Sequence, residues 1–365
     1  MTGLFDPIAL GPLTVRNRAW VSPMCQYSCE GADGLVGDWH RETLTSFARG
    51  GAGLVMTEAT AVVPEGRISP WCAGLWSDDH VEAWAPIAER IRELGAVAAV
   101  QLGHAGRKAS TDRPWAGGGP VGAPLGWSTV GPSALPFGEL PAPRALTTEE
   151  VEGLPPAFAR AAERARDAGF QTVELHAAHG YLLHQFLSPL SNDRDDRWAD
   201  GTTLLEAIIR AITTAVPDLP VMVRLSATDW VDGGVTLERT LATVRRTHAA
   251  GAVWFDISSG GLDPRQQITL GPAYQTPFAQ AVREALPQDG SVGVNAVGLI
   301  DTPQRADAVI REGRADAVML ARPWQRNPHW ALEAERVLST REHPVDPGLW
   351  PRQLVRGRHV SADPS

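Results

Sequence analysis

Short apolar runs alternate with longer amphipathic stretches along most of the chain. Eight runs read as strands: Ala19–Ser22, Gly53–Thr57, Val97–Gln101, Thr172–Leu175, Val221–Leu225, Val253–Ile257, Val292–Asn295 and Ala317–Leu320. Runs such as Val97-Ala98-Ala99-Val100 are apolar at every position, which suits strands buried on both faces, as in parallel sheets. Between them the apolar spacing becomes helical. The clearest helical stretches are Asp79–Leu94, Thr148–Ala168, Leu204–Ala215, Leu237–Ala250, Pro277–Leu286, Pro303–Glu312 and Pro328–Leu338. Thr147-Thr148-Glu149-Glu150 and Thr302-Pro303 put a capping hydroxyl ahead of acidic residues or a proline. Leu94-Gly95, Ala168-Gly169, Ala250-Gly251 and Glu312-Gly313 put glycine where a left-handed cap ends a helix before the next strand. Strand, helix and glycine cap, repeated to eight strands, predict an α/β protein folded as a single (β/α)8 TIM barrel. An open doubly wound sheet is the alternative that periodicity leaves standing.

Two segments interrupt the rhythm. Gly103–Leu146 is rich in Gly and Pro and too long for a plain connection, which predicts a capping loop after the third strand. The stretch from Glu342 onward is rich in Pro and Arg, and it divides the chain into a barrel of residues 1–341 and a tail of residues 342–365. Gly117-Gly118-Gly119-Pro120-Val121-Gly122 fits G-x-G-x-x-G, but no strand precedes it and no helix follows. It therefore lacks the strand–turn–helix context of a dinucleotide site.

Composition narrows the function classes. A chain of 365 residues can bury a large core without disulfide staples. A formal charge of −9 disfavours nucleic acid and anionic membranes as partners. No apolar run reaches the roughly 18 residues of a membrane span. The start, Met1–Pro7, lacks a signal-peptide pattern, so the expected location is the cytoplasm. Three cysteines, Cys25, Cys29 and Cys72, make no disulfide framework. Lys108 is the only lysine, so Schiff-base chemistry has one candidate nucleophile.

In a barrel the active site lies at the C-terminal ends of the strands. Those ends carry Ser22–Tyr27, Glu58-Ala59, Gln101–His104, His176–Tyr181, Arg224, Ser258–Gly261, Asn295–Gly298 and Ala321-Arg322. All three tyrosines, Tyr27, Tyr181 and Tyr274, fall in loops after strands. His176 and His179 permit three readings. They could be a structural hydrogen-bonded pair, or part of a zinc site completed by His104, Glu58 or Cys25. The favoured reading is a pair of donors polarising a substrate oxygen. Arg224 ends a buried strand and needs an anionic partner from protein or ligand; a reduced flavin, anionic at its pyrimidine edge, would serve. Gln101 could bond the same edge, since its amide both donates and accepts. Gly298 and Arg322 end strands seven and eight, where barrel phosphate sites commonly lie.

At this level of detail the chain resembles the Old Yellow Enzyme family of FMN-dependent ene-reductases, in its thermophilic-like subgroup. The resemblance runs from Leu4-Phe5-Asp6-Pro7 to about Arg356. It rests on Asn17-Arg18, Ser22-Pro23-Met24-Cys25-Gln26-Tyr27, Gln101–Arg107 and His176–Leu182, continuing through Gln185–Pro189 to Asn192. It implies that FMN is held by Ser22, Pro23, Met24, Cys25, Ala59, Gln101, Arg224, Gly298, Ala321 and Arg322. Cys25, where the family more often has threonine, would tune the flavin. His176 and His179 would bind a substrate carbonyl beside Tyr27 and Tyr274, and Tyr181 would donate a proton. Arg356 would reach into a neighbouring subunit, which implies a homodimer or homotetramer, and no metal is implied. Three positions depart from the family pattern. Trp198–Thr202 shortens a loop, Leu354 replaces a tail tyrosine, and Asn295 is polar where an apolar residue is usual.

The expected activity is reduction of the activated C=C bond of small α,β-unsaturated carbonyl compounds, with hydride from NAD(P)H. A flavin barrel acting as desaturase, oxidase or isomerase is the nearest alternative. A flavin-free lyase using Lys108, or a binding barrel without catalysis, are alternatives of other classes.

Overall fold

In a computed structural model, which describes residues 2–339 and 348–358, eight parallel strands close into a barrel. They are β1 (Ala19–Val21), β2 (Leu54–Ala61), β3 (Val97–Gly103), β4 (Thr172–Ala177), β5 (Val221–Ser226), β6 (Ala252–Ser258), β7 (Gly293–Ala296) and β8 (Ala317–Leu320). Each pairs with its neighbour in sequence, and β8 returns to β1 through Val318↔Ala19 and Leu320↔Val21. Closure excludes the open sheet. The eight strands fall where the apolar runs placed them, with ends moved by a few residues.

Helices α1 (Asp38–Arg49), α2 (Asp78–Glu93), α3 (Thr148–Glu152), α4 (Leu154–Asp167), α5 (Leu182–Leu187), α6 (Gly201–Ala215), α7 (Leu237–Ala249), α8 (Thr276–Glu284), α9 (Pro303–Arg311), α10 (Arg322–Arg326) and α11 (Trp330–Leu338) alternate with the strands. The stretch read as one helix from Thr148 is two. Pro155 and Pro156 can enter only a first turn, so α3 ends at Gly153 and α4 starts afresh. Thr147 caps α3 as its sequence suggests: its hydroxyl accepts from the Glu150 N–H at 3.2 Å, and Glu150 accepts from the Thr147 N–H at 2.8 Å. Helix α1 was not among the helices read along the chain, although His40, Leu44, Phe47 and Ala48 bury one face at helical spacing.

Along each strand successive side chains point to opposite faces. On β4, Val173, Leu175 and Ala177 pack outward in the main core, which the helices share. A second core fills the lower barrel with Trp20, Leu54, Met56, Val97, Ala99, Met222, Trp254, Ala317 and Met319. A hairpin of Ile8–Leu10 and Leu13–Val15 plugs that end, adding Leu10 and Val15; the eight-strand pattern gave no hint of it. Trp20 and Trp254 stack with ring centroids 4.7 Å apart. The Trp254 indole N–H donates to Asn295 Oδ1 at 2.7 Å, which gives the polar residue on β7 its physical reason. Segment 103–146 forms the loop expected after β3, with short 3-10 turns at Gly106–Lys108 and Pro114–Ala116. No helix among the described residues is long and apolar enough to cross a membrane.

Candidate active site

The β4–α5 loop carries the densest chemistry. His176 leaves β4 buried, and Tyr181 folds back over it with ring centroids 4.8 Å apart. The His179 ring stands edge-on to His176 at 5.2 Å. This tight return needs left-handed backbone at His179 (φ +58°) and Gly180 (φ +75°). The second position requires glycine, because a Cβ there would lie 2.2 Å from the Gly261 carbonyl oxygen. The loop after β6 is therefore stacked directly on the loop after β4.

Polar clamps fix the turn. The His179 N–H donates to Ser226 Oγ at 3.0 Å. The Gly180 N–H donates to His184 Nδ1 at 2.9 Å, so His184 gives its Nε2 proton to Asp229 at 2.8 Å. Ser188 donates to the other oxygen of Asp229 at 2.7 Å. Lys108 donates to the carbonyls of His179 and Gly261 at 2.9 and 3.0 Å, and its ammonium lies 5.1 Å from the Tyr181 ring centroid. Burial, then Arg107, lowers its pKa to about 8. The only lysine thus fastens two catalytic-face loops together.

Electrostatics set the protonation of the cluster. Burial, with Arg224 next, holds both His176 and His179 well below the usual imidazole range, so both rings are neutral. The Ala178 N–H points at His176 Nδ1, 3.4 Å away, which leaves the ring proton on Nε2. His179 Nε2 lies 2.7 Å from Ser258 Oγ. Ser258 and Ser259 both donate to Gln275 Oε1, at 3.3 and 2.7 Å, while the Gln275 amide N–H donates to the Val297 carbonyl at 3.3 Å. That chain assigns the His179 proton to Nε2 as well. Burial, then the thiols and phenol around it, pushes the Tyr181 hydroxyl well above the ordinary phenol range.

Beneath the loop the barrel interior turns polar. Gln101 donates to Glu174 at 2.8 Å. Arg224 pairs with Asp256 at 3.0 Å and donates to Ser22 Oγ at 3.3 Å. The partner that Arg224 requires is thus supplied by the protein. Glu174 and Asp256 were missed in the sequence, although charged residues inside Val173–Leu175 and Phe255–Ile257 were a visible sign. His184, Asp229 and Gln275 were also missed, and Ser258 was named only as part of a strand end; all four act through the loop rather than at its tip.

Cys25 and Tyr27 lie beside Tyr181 in a small apolar cluster with Ala59, Cys72 and Ala105. Tyr27 has φ +53° and meets Trp115 edge-on at 5.7 Å. Pro23 and Met24 lead into this turn, where Glu58 anchors the Gln26 N–H at 3.2 Å and is itself held by His40 at 3.1 Å.

Gly298 (φ +101°) sits at the end of β7, against Gln275 and Tyr274. A cavity of about 140 Å³ beside it is lined by Gly298, Ala321, Arg322 and Arg326. Tyr274 lies beside Gly298, near Ser259 and Arg322. Arg356 is exposed on the 3-10 turn Arg352–Arg358. The shortened segment Trp198–Thr202 runs along the outer flank, beside a cavity of about 320 Å³ between α5, α6 and α7. Among the described residues no three His, Cys, Asp or Glu side chains converge as a metal site.

The model of the NADH:flavin oxidoreductase / NADH oxidase family matches residues 3–341. The chain belongs to this family. It is an NAD(P)H:flavin oxidoreductase of the Old Yellow Enzyme kind, which sets aside the flavin-free lyase and the binding barrel. It is 38% identical over 343 residues to a protein named NADPH dehydrogenase of Geobacillus sp. (strain WCH70), covering 93% of this chain and 95% of that one. A Listeria innocua serovar 6a protein of the same name is 40% identical over 343 residues, covering 93% and 96%. Morphinone reductase in complex with tetrahydroNAD superposes with a TM-score of 0.75 at 25% identity, covering 96% of this chain and 94% of that one. A 2-naphthoyl-CoA reductase superposes at 0.80 with 27% identity, over 90% of this chain and 51% of that one.

The residues present fit a flavin. An arginine-lined cavity of phosphate size borders Gly298, where a Cβ would meet the Gln275 amide at 2.4 Å. Arg224 on β5 and Gln101 on β3 carry the guanidinium and amide donors that a pyrimidine edge would need.

Proposed function

We propose that this flavin oxidoreductase holds FMN and reduces the activated C=C bond of small α,β-unsaturated carbonyl compounds, using hydride from NADPH. One observation carries the reading: a half-buried phenol, held in its protonated form, packs against the neutral His176, which itself stands edge-on to the neutral His179. A bound FMN supplies the hydride that the alkene accepts at Cβ.

The protein contributes binding, polarisation and a proton. His176, with its proton on Nε2, donates to the substrate carbonyl. His179 donates from Nε2 once the substrate oxygen replaces Ser258, which keeps Gln275 as its other partner. Neutral imidazoles polarise without surrendering a proton to the carbonyl oxygen. Tyr181 protonates Cα, as its phenol remains a proton donor at every working pH. Tyr27 and Cys25 line the substrate side. Ser22, Pro23, Met24, Ala59, Gln101, Arg224, Gly298, Ala321 and Arg322 hold the cofactor, with the phosphate at Gly298 and Arg322. In this reading residues 342–365 are a tail after the barrel of residues 1–341, although residues 342–347 and 359–365 lie outside the described residues, and Arg356 serves a neighbouring subunit of a homo-oligomer. The name NADPH dehydrogenase, carried by the relatives, supports NADPH as donor.

Stopped-flow absorbance tests this. FMN should bleach with NADPH and recover on anaerobic mixing with cyclohexenone. Recovery no faster than the substrate-free control would overturn the ene-reductase reading and leave the flavin oxidoreductase.

A further inference from the structure

Under the proposed flavin site, four side chains on neighbouring strands form one buried polar layer. They are Gln101 on β3, Glu174 on β4, Arg224 on β5 and Asp256 on β6. Register pairs Gln101 with Glu174 and Arg224 with Asp256. Glu174 and Asp256 are 0% exposed, Gln101 1% and Arg224 5%. The layer therefore holds two carboxyls and a single guanidinium. Fully ionised, it would carry one uncompensated negative charge, which is costly away from water. Asp256 has the direct claim on Arg224, at 3.0 Å. Glu174 has no cation of its own. One of its oxygens accepts from Gln101 at 2.8 Å, and the other has no hydrogen-bond partner among the described residues. The charged groups that act on it are Asp256, which raises its carboxyl, and Arg224, which lowers it; Arg224 lies 3.0 Å from Asp256 and also opposes the rise that burial imposes there.

We propose that Glu174 is a positioning residue that enters this layer as a neutral carboxylic acid. Its carbonyl oxygen fixes the Gln101 amide, and its proton leaves Arg224–Asp256 as the only ion pair below the cofactor. Burial, with the Asp256 carboxylate next, acts in the same direction, raising the Glu174 carboxyl to about 8. The effect on the cofactor rests on the reading that places the flavin pyrimidine over Arg224 and Gln101. A neutral floor favours the reduced, anionic flavin, and a second carboxylate would oppose it.

Two measurements on the full chain test the proposal. Infrared difference spectra of wild type against E174Q, in H2O and D2O at pH 7, need no flavin. The wild type should show a carboxylic-acid carbonyl band that E174Q loses; no such band overturns the proposal. In the holoenzyme, E174Q should keep the wild-type midpoint potential at pH 7, because an amide matches a neutral acid in shape and charge. D256N should raise the potential, since it leaves Arg224 uncompensated. In wild type the potential should fall more steeply as pH rises through about 8, when Glu174 ionises, and E174Q should lack that step. E174L should weaken FMN binding roughly tenfold, the size of one buried hydrogen bond, while E174Q restores it. An E174Q potential displaced from wild type at pH 7, or a wild type without the step near pH 8, overturns the proposal even if D256N fails to fold. A chain that binds no FMN fails the functional reading instead, and the infrared band still decides the proton.

Discussion

At the scale of single residues, Tyr181 shows how burial selects a role. Its half-buried phenol lies near His176, Cys25, Tyr27 and Cys72, and its deprotonation is pushed to higher pH than for a free tyrosine. The alkene half-reaction should therefore show no alkaline limb from Tyr181 up to pH 10, as followed by stopped flow; a limb at the ordinary phenol value would contradict that upward shift. Tyr181→Phe should slow that half-reaction by about 10²–10⁴, the usual worth of a general acid, while flavin reduction by NADPH stays near wild type. Asn295 makes a second case. It accepts the Trp254 indole proton deep in the barrel. Asn295→Val should cost about 1–3 kcal/mol by stranding that donor, measured as a lower denaturation midpoint at unchanged m-value. In the sequence Asn295 was only an oddity, because its partner stands a strand away.

At the scale of elements, the site depends on two loops that touch backbone to backbone. Gly180 and Gly261 leave no room for side chains between them, and Lys108 ties the carbonyls of His179 and Gly261 together. Gly180→Ala should destabilise the protein by roughly 3 kcal/mol or more, since it combines left-handed strain with a backbone clash. Lys108→Met should retain flavin, whose proposed contacts lie on other loops, but raise KM for the enone and lower Tm. An unchanged KM would show that the clamp is dispensable for the His179 geometry. The chain pattern placed Lys108 after β3 and Gly180 after β4. It gave no means of knowing that a third loop, after β6, supplies the other carbonyl.

At the scale of the whole molecule, the polar layer of Gln101, Glu174, Arg224 and Asp256 sits above an apolar lower barrel, and it links stability to pH. Unfolded, Glu174 loses its proton near the ordinary value of 4.5; folded, it keeps the proton to about 8. Between those values the folded chain binds more protons than the unfolded one, so rising pH favours unfolding. Denaturation midpoints of wild type should therefore fall relative to Glu174→Gln from about pH 4.5 to 8 and run parallel above. A constant difference would mean that Glu174 is ionised throughout. Much of the molecule was readable along the chain. Strand runs, helical spacing and glycine caps are local consequences of backbone sterics and side-chain burial, so they determined eight strands, most helices and the ends where function would gather. The motif His176–Tyr181 likewise carried its chemistry within six residues. The rest depended on partners distant in sequence. The hairpin plug, the break between α3 and α4, the ion pair of Arg224 with Asp256, the acid at Glu174 and the clamp at Lys108 were decided only when barrel closure brought separate strands together. Closure also removed water from the interior, and that is what turned ordinary carboxyls, imidazoles and a phenol into groups with fixed protonation states.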